Sequence, residues 1–251
     1  MSRDSYKDFF EEGWHGTPAE ITLAKEKQYY IEFFHVPTKK NVKFKAYLTN
    51  FTDKFSSDWS SDEVYGRMDP VLTYKGTTRK ITLEWDLPAS SVAEAKDNMK
   101  KCSLLFNMLY PTYSTAARGG VVSAPPLFRV RFANLIQGAN GSSGMASAQS
   151  SGLVCNIDGF QYSPEIDDGF FEPEGSAGVG TVYPQTLKLS CDLTVLHTHT
   201  LGWDEQGKLR DSAANFPYGE KSTDDTSIGG GSSTPAMAAA AASGVTGGGT
   251  P

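Results

Sequence analysis

The stretch Tyr65–Tyr113 places the strongest constraint on the fold. Within it, Arg79 to Leu87 alternates strictly. Ile81, Leu83, Trp85 and Leu87 fall on one side, and Lys80, Thr82, Glu84 and Asp86 on the other. Period two with branched and aromatic residues predicts a half-buried strand, and Pro88 stops it. Ser91 then opens a helix. Glu94, three residues on, completes a capping box in which each side chain satisfies a free backbone N–H of the first turn. Val92, Ala95, Met99, Cys102, Phe106 and Leu109 form one apolar stripe at helical spacing, and Pro111 closes the segment. No second strong helix is visible to cover that stripe, so it must lie on a sheet.

The rest of the chain supplies the sheet. Glu26–Val36 and Val42–Leu48 read as strands joined through Pro37–Asn41. Asn50–Glu63 reads as a Ser/Asp-rich loop around Trp59, and Met68–Tyr74 as a short strand. Ser114–Ser123 is a flexible link of small residues. Leu127–Ile136 and Leu153–Tyr162 are strands of one hairpin. Residues 137–152 form its long tip, too polar and Gly-rich to pack. Glu165 to about Gly180 is an acidic loop. Thr186–Leu196 alternates most cleanly, with Leu187, Leu189, Cys191, Leu193 and Val195 inward. About seven strands and one helix predict a mainly β chain, an antiparallel sandwich or barrel flanked by a helix. Its parts are an N-terminal arm (1–21), a β domain (22–214, helix 91–109) and a Gly/Ala/Ser-rich tail (215–251). The tail is too poor in apolar residues to offset its chain entropy and reads as disordered or weakly ordered.

Charge narrows the function. The chain of 251 residues carries a net charge of −6, so a broad grip on phosphate backbones is disfavoured. Cys102, Cys155 and Cys191 are far apart with no CxxC pair, which argues against a disulfide scaffold or zinc site. Cys102 and Cys191 read as small core residues. The charged start lacks the apolar region of a signal peptide, and no apolar run is long enough to span a bilayer. His197 and His199 would point the same way from a strand, but only Asp204 lies near enough in sequence to help them hold a metal. Glu165, Asp167, Asp168, Glu172 and Glu174 miss the calcium-loop spacing and read as a solvated acidic loop. There is no nucleophile motif and no phosphate-cradling loop. The chain therefore reads as a non-enzyme without cofactors.

What remains points to contacts between chains. Open sheet edges need partners, and closure in a ring removes them. The arm's Phe9, Phe10 and Trp14, with Trp59, are candidate contact aromatics. Lys39, Lys40, Lys43, Lys45, Arg118, Arg129 and Arg131 are basic groups suited to a neighbour's acidic loop, with Asp167 and Asp168 its counterparts. A different class, a carbohydrate- or peptidoglycan-binding sandwich, would use Trp59 and Trp203 to stack sugars. A metal-dependent hydrolase would use His197 and His199.

Three segments together carry a resemblance. They are YGRMDPVLTYKGTTRKITLEWDLPASSVAEAKDNMKKCSLLFNMLYPTY, NIDGFQYSPEIDDGFF and VYPQTLKLSCDLTVLHTHTLGW, covering most of residues 65–203. In that order and spacing the chain resembles the baseplate and tail-tube-initiator proteins of contractile-tailed bacteriophages. The resemblance implies a β-sandwich or barrel of tail-tube type with one flanking helix, and a hexameric homo-oligomer whose sheets join edge to edge around a lumen. It implies a virion protein assembled in the host cytoplasm. Its partners would be the tail tube protein, other baseplate hub proteins and the tape-measure protein, and DNA would pass without specific binding. A tube subunit itself, or another hub ring, fits the same resemblance. The long loops and tail favour an adaptor, which must meet unlike neighbours above and below.

Overall fold

A computed structural model describes residues 27, 29–45, 47–114, 120–139, 147–173, 179–211 and 216–218. The chain is mainly β. Seven strands form one antiparallel sheet: β1 (Tyr30–His35), β2 (Lys40–Lys45), β3 (Tyr47–Asp62), β4 (Val71–Pro88), β7 (Phe128–Arg131), β8 (Leu153–Pro164) and β11 (Thr186–Val195). Their order is β2-β1-β7-β8-β11-β4-β3. Helix α1 (Val92–Met108) follows β4, and a short helix α2 (Ala148–Ser151) precedes β8. Two small ribbons pair β5 (Thr112–Tyr113) with β6 (Val122–Ala124), and β9 (Phe170–Phe171) with β10 (Tyr183–Pro184). Among the described residues no helix is long and apolar enough to cross a membrane.

The sheet curls on itself. Its first and last strands, β2 and β3, are separated in the chain by residue 46 alone. Two Cα–Cα steps of about 3.8 Å leave no room for a flat sheet between them. The aromatic core shows the same closure. Trp85 on β4 lies 5.9 Å from both Phe33 on β1 and Phe44 on β2, ring centre to ring centre, although three strands stand between β1 and β4 in the sheet. Ile31, Val42, Ile81, Leu83, Phe128, Val130, Leu187, Leu189 and Leu193 complete one interior. β11 buries its odd-numbered residues, Leu187 to Val195, as its alternation predicts.

Helix α1 covers this interior. Ser91 Oγ accepts from Glu94 N at 3.2 Å, one half of the expected capping box. The other half differs: Glu94 Oε2 accepts from Ser90 N and Ser90 Oγ, both at 2.8 Å. Glu94 also pairs with Lys45 at the end of β2, which ties the helix start to the sheet corner. Burial alone would raise the Glu94 carboxyl. The Lys45 and Ser90 hydrogen bonds outweigh it and hold the group below its usual value. That contribution to stability is present above the ordinary carboxylate range and is lost as pH falls through the lowered value. The buried face is rotated from the predicted stripe. Ala95 and Cys102 are inward as expected, Leu105 and Met108 join them, and Val92 is exposed. Phe106 packs edge-on against Phe160 and Tyr162 of β8.

The tip between β7 and β8 is packed where it is described, contrary to the sequence expectation. Ala148 and Ser151 are buried, and Ala148 N donates to the buried Glu32 carboxylate at 2.9 Å. Glycine makes this approach possible. A Cβ on Gly152 would stand 2.3 Å from Ala148 O and 2.9 Å from Arg129 Cβ. Gly152→Ala is therefore expected to cost about 1–3 kcal/mol through overpacking and to lower Tm in calorimetry by several degrees. At Gly159 the nearest atom to an added Cβ is Asp192 Oδ2 at 3.9 Å, so Gly159→Ala is the near-neutral control. Equal Tm values for the two variants would contradict the close packing.

Candidate assembly interface

β3 and β4 are much longer than the sheet they belong to. β11 accompanies β4 only from Pro88 to Lys80. Beyond it, Val71–Arg79 pairs with Phe55–Asp62 alone, as a two-stranded ribbon. At about 3.3 Å per residue it projects roughly 30 Å from the body. An isolated two-stranded ribbon is marginal in water, and this one carries exposed Phe55, Trp59, Leu72 and Tyr74. At its tip Tyr65 and Met68 are completely exposed, at 105% and 101%. Trp59 stacks edge-on with its cross-strand partner Tyr74 at 5.1 Å.

The body itself has open rims. β3 forms one rim, since among the described residues only β4 pairs with it, and β2, which pairs with β1, ends the sheet on the opposite side. The free part of β8 forms a further rim. β7 pairs with Leu153–Cys155, so Asn156–Pro164 has β11 on one side and no strand on the other among the described residues. The four strands β8-β11-β4-β3 thus make a sheet open at both ends. Its face away from the core is polar. Glu84, Asp86, Asp158 and Asp192 there stand among Lys54, Lys80 and Lys188. Thr82 Oγ1 donates to Asp192 at 2.7 Å, and Lys80 lies 3.9 Å from Asp158.

At the root of the ribbon Arg79 is wholly buried. Its Nε and Nη2 fork onto Asp53, with Nη2–Oδ2 at 2.6 Å. Beside it a cavity of about 610 Å³ is lined by Phe55, Tyr74, His197, His199, Trp203 and Phe216, among others. The two imidazoles stand edge to face at 6.1 Å. Burial, then the Arg79 charge and that of His199, lower the His197 pKa against a smaller opposing pull from Asp53. Asp204, the acid nearest these rings in sequence, accepts from Gln206 N and Lys208 N at 3.0 and 2.7 Å in its own loop. Among the described residues no three His, Cys, Asp or Glu side chains gather as metal ligands.

Sequence reasoning placed Trp59 on an exposed surface, where it is, but in a loop rather than a strand. Asp167 and Asp168 are exposed in the loop before β9. Phe9, Phe10, Trp14 and Arg118 lie outside the described residues. The basic groups need correction. Arg131 is inward and 5% exposed, in cross-strand register with the buried Glu32. Arg129 is half-buried against Gly152. Lys43 lies 3.9 Å from Glu32 and Lys45 pairs with Glu94, so these charges are matched within the chain rather than held out for a neighbour. Asp53, Arg79, Tyr65 and Met68 were not singled out. The only local signal was an aromatic and a methionine flanking the Gly66 turn.

No protein-family model matches the chain, and no curated protein matches it.

Proposed function

We propose that the chain is a structural ring subunit of a contractile phage tail, seated at the baseplate hub, where it initiates and anchors the tail tube. The sheet is of tail-tube type in this reading. Copies join head to tail, the β3 rim of one beside the β8 rim of the next. Such a heterologous contact closes into a ring when the rotation fits, and the resemblance implies six copies. The observation that carries the reading is the sheet open at its rims with a ribbon standing off it that exposes Phe55, Trp59, Leu72 and Tyr74. The polar outer face, with its slight acidic excess, would line the lumen and repel DNA phosphates rather than bind them. The tube protein, other hub rings and the tape-measure protein are the implied neighbours.

Light scattering on the purified chain tests this, beside the double variant Tyr65→Asp/Met68→Asp. Both positions are fully exposed, so unfolding free energy is expected to stay within about 0.5 kcal/mol. Stacks formed by the parent chain through its ribbon tips should be lost, while rings joined through the β3 and β8 rims should remain. A parent chain that stays monomeric at all concentrations, alone and with tube protein, contradicts the proposal. A glycan-binding reading draws on Trp203 and Tyr74 lining one cavity; it predicts glycan binding that Trp59→Ala or Trp203→Ala abolishes.

A further inference from the structure

Arg79 continues the inward register of Ile81, Leu83, Trp85 and Leu87, but it stands where the ribbon leaves the body and the sheet covers it only in part. The residues before it on β4, Val71 to Thr78, are exposed apart from half-buried Gly76. Three rings surround its guanidinium: Phe55 at 5.1 Å, Phe216 at 5.5 Å and Tyr218 at 5.9 Å from Cζ. Two of the three come from one short segment far along the chain. Phe216 also meets the His197 ring at 5.6 Å, the His199 ring at 5.3 Å and Phe55 edge-on at 6.0 Å. Tyr218 Oη donates to Asp53 Oδ2 at 3.2 Å, and Asn134 Nδ2 donates to Tyr218 O at 3.3 Å. The segment belongs to no strand, so it can leave without breaking a ladder.

We propose that Arg79, Asp53, Phe55, His197 and His199 form a recognition site for the chain's own Phe216–Pro217–Tyr218 segment, which acts as a detachable strap over the root of the ribbon. The ligand class is an aromatic–proline–aromatic peptide. Its rings cover the cation, and its phenol hydroxyl shares the carboxylate. Release uncovers Arg79 and widens the aromatic cavity beside it.

The site is built to respond to acid. The Nε2 atoms of His197 and His199 are buried without a hydrogen-bond partner, as is Arg79 Nη1. A proton on His197 would add charge beside Arg79 and His199. Asp53, which acts on His197, already serves Arg79 and Tyr218, while Asp211 lines the cavity beyond. Burial first, and Arg79 next, keep the His197 ring below its usual value of 6.5 while the strap is seated. The seated state therefore binds fewer protons than the released one. Release returns the His197 ring to water and relieves part of that burial, so the seated state is favoured at higher pH and weakens as pH falls.

The experiment places a nitroxide on a cysteine introduced by Asn134→Cys in the full chain, beside the seated Tyr218. Cys102, Cys155 and Cys191 are buried, and burial pushes the Cys102 thiol up to about 12, so they stay unlabelled. Label mobility should be low at pH 7.5 and rise toward pH 5 while the β-sheet circular dichroism holds. Adding His197→Gln should remove the transition, and Phe216→Ala should give a mobile label at both pH values. The proposal is overturned by a label that Phe216→Ala leaves unchanged, by a transition that survives His197→Gln, or by mobility that rises only as the sheet signal is lost.

Discussion

Trp85→Ala is expected to destabilise the chain by about 3–5 kcal/mol, as large-to-small changes in a closed core do. Trp85 is fully buried and joins the two faces of the curled sheet, touching Phe33, Phe44 and Phe160 at ring distances of 5.9, 5.9 and 6.0 Å. Removing it opens a cavity where β1 and β2 meet β4, and backbone on both sides is held by hydrogen-bonded ladders that cannot collapse into the gap. Against a total stability on the order of 5–15 kcal/mol, this one substitution removes a large share. Its indole N–H is buried without a partner. Trp85→Phe should therefore cost far less than Trp85→Ala, because it keeps the ring contacts and removes an unpaired donor. Urea unfolding of the three proteins checks both statements. A loss under about 1 kcal/mol for Trp85→Ala would mean that the faces do not meet there.

Arg79→Ala carries the second large effect. It leaves the Asp53 carboxylate buried, its side chain 2% exposed, with Tyr218 as its remaining donor. Breaking a buried pair by removing one partner costs about 3–5 kcal/mol. Replacing both members by apolar residues, Arg79→Met with Asp53→Leu, should recover most of that loss, since desolvation of the two charges offsets their attraction. A double-mutant cycle by urea unfolding measures the coupling. A coupling below about 1 kcal/mol would contradict a buried, forked pair. Arg79→Lys should fall between the extremes, because an ammonium keeps the charge but cannot fork.

Legibility in the sequence followed solvent contact. The alternation from Ile81 to Leu87 and from Leu187 to Val195 predicted which residues are buried, because each strand has one wet face and one dry face. β3 gave no such pattern. Both of its faces are largely exposed, so Ser57, Asp58 and Ser61 are as acceptable as any strand residue, and the segment read as a loop. Cross-strand pairing with β4 makes it a strand, and pairing leaves no periodic trace. The helix was found from its cap and stripe, but the rotation that buries Leu105 and Met108 is set by the sheet beneath it. The segment before β8 was read as unpackable for its glycines; Gly152 is what lets it pack. Arg79 and Asp53 stand 26 apart in the chain, and only the ribbon's register brings them together. Trp59 was found as an exposed aromatic, whereas Arg131 was taken for a surface charge because its buried cross-strand neighbour, Glu32, lies far earlier in the chain.

Closed rings built by the β3 and β8 rims are the core of this account, and electron microscopy of the purified chain, taken to a resolution that separates strands, tests them most directly. Six-fold rings are expected, in which β3 of one copy continues into β8 of the next and the ribbons project to neighbouring copies. A monomer, or a ring in which both rims face solvent and the contacts lie elsewhere, would contradict it.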